Sequence, residues 1–137
     1  MPFIDKHMTY STDKDGQFLK QTDVIDSYQF PNLPLSNKWN HSIKQLRNIE
    51  FDGVILLGSD DYIDENFLKF VSENISNYDL IGFEDIYFEE GFKRYYWQGY
   101  TNHRKGEPCG AGKVYSKQFL QRINYNLFTG AKNSGLD

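Results

Sequence analysis

Val54-Ile55-Leu56-Leu57-Gly58-Ser59-Asp60-Asp61-Tyr62-Ile63 is the stretch on which the reading of this chain turns. Its four leading apolar residues form an unbroken run, the pattern of a strand covered on both faces. Gly58-Ser59 ends the run, and two carboxylates follow side by side. Asp64 then opens a helical pattern of Phe67, Leu68, Val71 and Ile75. A strand, a tight glycine turn, two acids and a helix describe the carboxyl end of a central strand in an open α/β sheet, where such sheets take their ligands. Adjacent acids repel unless a cation or water relieves them. Mg²⁺ or Mn²⁺ accepts one or two carboxylates and completes its shell with water and phosphate oxygens. The same residues also suit a solvated strand-to-helix turn in which one acid caps the helix. Spacing alone leaves both readings open.

Toward the amino end, residues 7–12 read as a short strand, Asp13-Lys14-Asp15-Gly16 as a turn, and residues 24–30 as a second strand. Pro31 and Pro34 interrupt regular structure. From Ser36 the period changes: Trp39, Ile43 and Leu46 make one helical stripe, with Ser36 or Asn37 as its cap. Toward the carboxyl end, Asn77-Tyr78-Asp79 is a turn and residues 80–83 a short buried strand. Residues 85–89 and 92–98 alternate as a hairpin around Glu90-Gly91. Residues 99–112 are a glycine-rich loop. Val114-Tyr115 is a brief strand, and Ser116 caps a helix that buries Phe119, Leu120 and Ile123. This order predicts an α/β fold with a mostly parallel open sheet and flanking helices, a single domain over 1–137. No repeat or linker interrupts it.

Hydrophobic residues make up a modest 39% of the 137, but eleven Phe, ten Tyr and two Trp can fill a core and leave rings over for a sugar platform. A net charge of −4, with both signs interspersed, recommends neither nucleic acid nor an anionic membrane as the main partner. The single cysteine, Cys109, excludes an intrachain disulfide and a cysteine-based zinc cluster. The amino end is too polar for a signal peptide, and no apolar run reaches membrane-spanning length, so a cytoplasmic protein is expected.

Taken together, several segments resemble the family 2-like glycosyltransferases of the GT-A fold. They are Pro31-Asn-Leu-Pro-Leu-Ser-Asn-Lys-Trp-Asn40, Phe51-Asp-Gly53, the strand ending at Asp60-Asp61, Trp97-Gln-Gly-Tyr100, Gly110-Ala-Gly112 leading into Tyr115-Ser116, and Gly135-Leu-Asp137. The resemblance implies a metal-dependent enzyme that moves a sugar from a nucleotide-sugar donor to a glycan or other hydroxyl acceptor. Asp60 then matches the metal-binding acid of the family's Asp-x-Asp motif, with Asp61 beside it as a second ligand for Mn²⁺ or Mg²⁺. Lys38 is expected on phosphate and Asn40 on base or ribose. Arg104 is expected to reach phosphate as its loop closes. Trp97 and Tyr100 would stack on the acceptor, unless they pack the core, and Gly110 would allow backbone approach to it. Asp137 matches the late acid that takes the proton from the acceptor hydroxyl.

One departure stands out: Gly58 occupies the position of the motif's first Asp, which leaves the choice of nucleotide open. The resemblance also implies a core fragment, lacking the first strand–helix unit and the carboxyl-terminal extension. Association with itself or with a partner chain is expected to cover the exposed surface. The alternative is a degenerate, non-catalytic member that binds ligand or partner without turnover. A metal-dependent phosphohydrolase is a third, weaker reading.

Overall fold

The computed structural model describes residues 6–20, 26–58 and 60–130. It is mixed α/β, with small sheets, and its described residues divide into two compact units: those up to residue 50 together with those from 120 onward, and those between 51 and 119.

In the first unit, β1 (His7–Tyr10) pairs in parallel with β2 (Asp26–Gln29), with α1 (Asp13–Leu19) between them in the chain. The start of α1 falls where the sequence suggests only a turn. The Thr12 hydroxyl accepts from the Asp15 amide at 3.2 Å and donates to the Asp15 carboxylate at 2.6 Å. This is a threonine N-cap at capping-box spacing, and it turns an Asp-Lys-Asp-Gly run into a helix start. Next comes α2 (Leu35–Lys44), followed by a 3₁₀ turn, Gln45–Asn48. Its cap position is Pro34 rather than Ser36 or Asn37, and no side chain bonds there. Of the expected stripe, Ile43 is 1% exposed and Leu46 is buried with it, while Trp39 is half-buried. Burial of one such aliphatic side chain is worth about 1.5–3 kcal/mol.

Part of α4 (Lys117–Arg122) also belongs to this unit. The Tyr125 amide reaches the Leu120 carbonyl at 2.8 Å and the Asn124 amide reaches Gln121 at 3.1 Å, a Schellman ending with Asn124 and Tyr125 both left-handed. Arg47 clasps it through the Asn124 carbonyl and side chain at 3.0 and 2.9 Å.

The second unit carries β3 (Gly53–Ile55), α3 (Glu65–Asn74), β4 (Leu80–Ile81), a hairpin of β5 (Ile86–Glu90) and β6 (Lys93–Trp97), and β7 (Val114–Ser116). The sheet order is β3-β7-β4, with β7 antiparallel to both neighbours. Ile55, Val114 and Ile81 therefore stand in one row, and that face packs on Phe67, Val71 and Ile75 from α3 and the turn that follows it.

The described strands do not form the mostly parallel open sheet expected. One pair is parallel, and the other two sheets are antiparallel. Nor is the Val54 run the fully covered strand: β3 is half-buried, and Leu57 is exposed. All three residues of β7 are buried because that strand has a neighbour on each side. The hairpin forms as predicted, with Tyr87 opposite Tyr96 and Phe88 opposite Tyr95, and these four rings and Phe92 are exposed. Among the described residues, no helix is long and apolar enough to cross a membrane.

Candidate functional site at one end of the three-stranded sheet

Because β7 runs against both neighbours, its start lies at the same end of the sheet as the finishes of β3 and β4. Pairing continues one step further there: the Leu56 amide donates to the Lys113 carbonyl at 3.1 Å, and the Gly112 amide donates to the Leu56 carbonyl at 3.2 Å. The glycine loop is anchored on the residues after β4. The Cys109 amide donates to the Phe83 carbonyl at 2.7 Å. Pro108 comes so close to Gly82 that a β-carbon there would stand 2.6 Å from its ring. Gly112 lies beside Phe83 and Ile63. The double-aspartate turn, the end of β4 and the glycine loop thus share one corner of the second unit.

Asp61 closes the turn on itself. Its amide donates to the Gly58 carbonyl at 3.3 Å, and its carboxylate accepts from the Gly58 amide at 2.8 Å. Both acids bend toward Gly58. A β-carbon at that glycine would meet Asp61 Oδ2 at 3.0 Å and Asp60 Oδ1 at 3.1 Å. The glycine that departs from the family motif therefore leaves the space on which the two carboxylates converge. Helix capping falls to neither of them: Asp64 caps α3, accepting from the Asn66 amide at 2.8 Å. Asp60 and Asp61 are exposed, and Tyr62 beside them is 98% exposed.

Among the described residues, no group of three or more His, Cys, Asp or Glu side chains could hold a metal ion. Two converging carboxylates are a partial shell of the kind that Mg²⁺ and Mn²⁺ complete with water and phosphate oxygens. No protein-family model matches this chain, and neither a curated protein nor a solved structure is significantly similar to it.

Three other expected residues meet where β6 runs into the glycine loop. Trp97 and Tyr100 pack edge to face, with centroids 5.0 Å apart, and the Arg104 guanidinium lies 4.0 Å from the Tyr100 ring centre. Arg104 also donates to Glu107 at 2.7 Å, so its charge is already partnered within the loop. Gly110 is exposed on the same loop.

Lys38 and Asn40 belong to the first unit. Lys38 donates to the Asn32 side chain at 3.1 Å. Asn40 is buried, and its amide is spent on backbone: Nδ2 donates to the Phe128 carbonyl at 2.7 Å and Oδ1 accepts from the Phe128 amide at 2.9 Å. Asp137 lies outside the described residues.

Sequence reasoning assigns Lys113 no role, since the Gly110-Ala-Gly112-Lys113 run followed by Val114 is not a P-loop. It is 8% exposed at the head of β7, and its only signal in the sequence is its place just before the Val-Tyr-Ser run.

Burial pushes the Cys109 thiol above its ordinary value of 9.0 and the Tyr115 phenol above 10.0. Folding thus favours the protonated form of both groups. Their contribution to stability is complete below those ordinary values and is lost as pH rises toward the folded-state values. The melting temperature is expected to hold steady up to about pH 9 and fall beyond it, with Cys109→Ala delaying the onset of the fall. Melts between pH 7 and 11 check this, and a curve rising above pH 9 would refute it.

Proposed function

We propose that the chain is a metal-dependent glycosyltransferase of the GT-A type, moving a sugar from a nucleotide-sugar to a hydroxyl acceptor. The GT-A-like assignment of its fold belongs to the same proposal. The observation that carries the reading is the convergence of Asp60 and Asp61 around Gly58 at the end of β3. These two carboxylates would hold Mn²⁺ or Mg²⁺. The bound ion would neutralise charge on a departing diphosphate. The neighbouring loop supports the same reading with an aromatic pair, Trp97 and Tyr100, of the kind that stacks on sugar rings. Its cation, Arg104, is held by Glu107 and Tyr100 in a fixed orientation. The acid proposed to remove the acceptor proton is Asp137.

Asp61 spends one carboxylate oxygen on the turn, a role needed with or without a metal. That observation favours the second reading, in which the chain binds ligand without turnover.

Thermal shift and calorimetry with a panel of nucleoside diphosphates (UDP, GDP, ADP, CDP and dTDP), with and without Mn²⁺, test the proposal. A ligand at a hundred times its Kd stabilises the folded state by about 2.7 kcal/mol. The expected result is a Mn²⁺-dependent rise in melting temperature that Asp60→Ala abolishes. No rise with any nucleoside diphosphate in Mn²⁺ would end the enzymatic reading. Binding without release of sugar from a nucleotide-sugar would select the second.

A further inference from the structure

The β5–β6 hairpin leaves rings uncovered on both of its faces. Phe88 and Tyr95 lie opposite each other on one side, Tyr87 and Tyr96 on the other, and Phe92 stands at the tip. Their exposed portions together equal about three whole aromatic side chains, or about 500–800 Å². An interface of ordinary size takes about 800 Å² from each partner, so the rings alone approach that area. Among the described residues, no third strand pairs with β5 or β6. A ribbon of two strands is marginally stable alone and gains from further strands. Glu90 and Lys93 close this one around a two-residue turn. The ladder alternation then aims the Arg94 and Tyr96 amides and carbonyls away from β5, at the free edge of β6.

The two edges differ in charge. Glu89 and Glu90 stand on β5 with Asp85 just before it, whereas β6 carries Lys93 and Arg94 and no acid. We propose that β6 pairs with β6 of a second copy of this chain, antiparallel about a two-fold axis at Tyr95, to make a four-stranded sheet. In that register Arg94 stands opposite the partner's Tyr96, and Lys93 opposite the partner's Trp97. Each cation meets a ring rather than another cation. Arg94 already makes such a contact inside the ribbon, 5.6 Å from the Tyr87 ring centre. Tyr95 meets its own copy, so Phe88, Tyr95 and their two counterparts form one row of rings across the sheet. The matching arrangement through β5, centred on Phe88, would set Glu89 against the partner's Tyr87, and the negative face of a ring repels a carboxylate. Acids on both outer edges then discourage further strands, so the assembly closes at two copies. None of this depends on what Asp60 and Asp61 bind.

Sedimentation velocity over a wide concentration range tests the pairing, and the expected result is a monomer–dimer equilibrium. Tyr95→Lys sets two lysines against each other at the axis and is expected to weaken the dimer about tenfold to a hundredfold. Cross-linking locates the axis. At a non-hydrogen-bonded antiparallel pair the Cα atoms stand about 4.5 Å apart, within reach of a disulfide. In a Cys109→Ala background, Tyr95→Cys is expected to give a covalent dimer with diamide as oxidant. Phe88→Cys, at the matching place on β5, is expected to stay monomeric.

A wild type that is monomeric at every concentration would overturn the inference and leave the edge to a different chain or to none. So would a dimer that Tyr95→Lys leaves intact, a cross-link through Phe88→Cys in place of Tyr95→Cys, or oligomers that keep growing with concentration. If Tyr95→Lys does not fold by far-ultraviolet circular dichroism, the two cysteine variants decide between these outcomes.

Discussion

Asn40→Ala is expected to cost about 2–4 kcal/mol of stability, lowering the melting temperature by roughly 10 °C. The side chain of Asn40 acts as a piece of backbone. Its amide nitrogen and oxygen pair with the carbonyl and amide of Phe128, as one strand residue pairs with another. Alanine would remove both partners at once, and buried main-chain groups left unpaired cost about 1–3 kcal/mol each. Asn40→Asp is the sharper variant. It keeps the acceptor for the Phe128 amide but loses the donor and buries a charge, so it should melt no higher than the alanine form. Either variant melting within about 2 °C of wild type, on the scale of about 1 kcal/mol, would mean that this clamp does not hold residues 120–130 to α2.

Gly99→Ala is expected to cost about 3 kcal/mol, through a different mechanism. Gly99 sits at φ +94°, and a β-carbon there would stand 2.4 Å from the Glu84 carbonyl oxygen. The left-handed backbone alone costs a side chain about 1–2 kcal/mol, and forcing the carbonyl aside adds about 1–3 kcal/mol. Gly91 provides the control. It is also left-handed, at φ +60°, but nothing lies within 4 Å of its added β-carbon. Gly91→Ala should therefore cost only the backbone strain, about 1 kcal/mol. Denaturant melts of the two variants separate the effects; equal losses would show that the Glu84 contact is not a constraint.

These effects differ in how far they could be seen in advance. Helix α3 and its Asp64 cap are legible because helical spacing and a capping acid are local signals. The hairpin is legible because strand alternation and a glycine at the turn are local too. The start of α1 was legible in principle. Thr12 and Asp15 stand at capping-box spacing, but the Asp-Lys-Asp-Gly run in the same place reads as a turn. The role of Asn40 was not legible at all. A polar residue on an amphipathic helix looks like surface, and its partner lies 88 residues away.

By itself, then, the sequence determined the positions of the longer helices, the hairpin and the double-aspartate turn, because each depends on residues a few positions apart. Only tertiary structure decided that Val114–Ser116 and not the Val54 run lies at the centre of its sheet. A three-residue strand has too few side chains to reveal a period, and its burial comes from neighbours on both flanks. Tertiary structure also brought Lys113, at the head of β7, to the end of the sheet where β3 finishes. That arrangement depends on β7 running antiparallel, a direction that no local pattern of residues encodes.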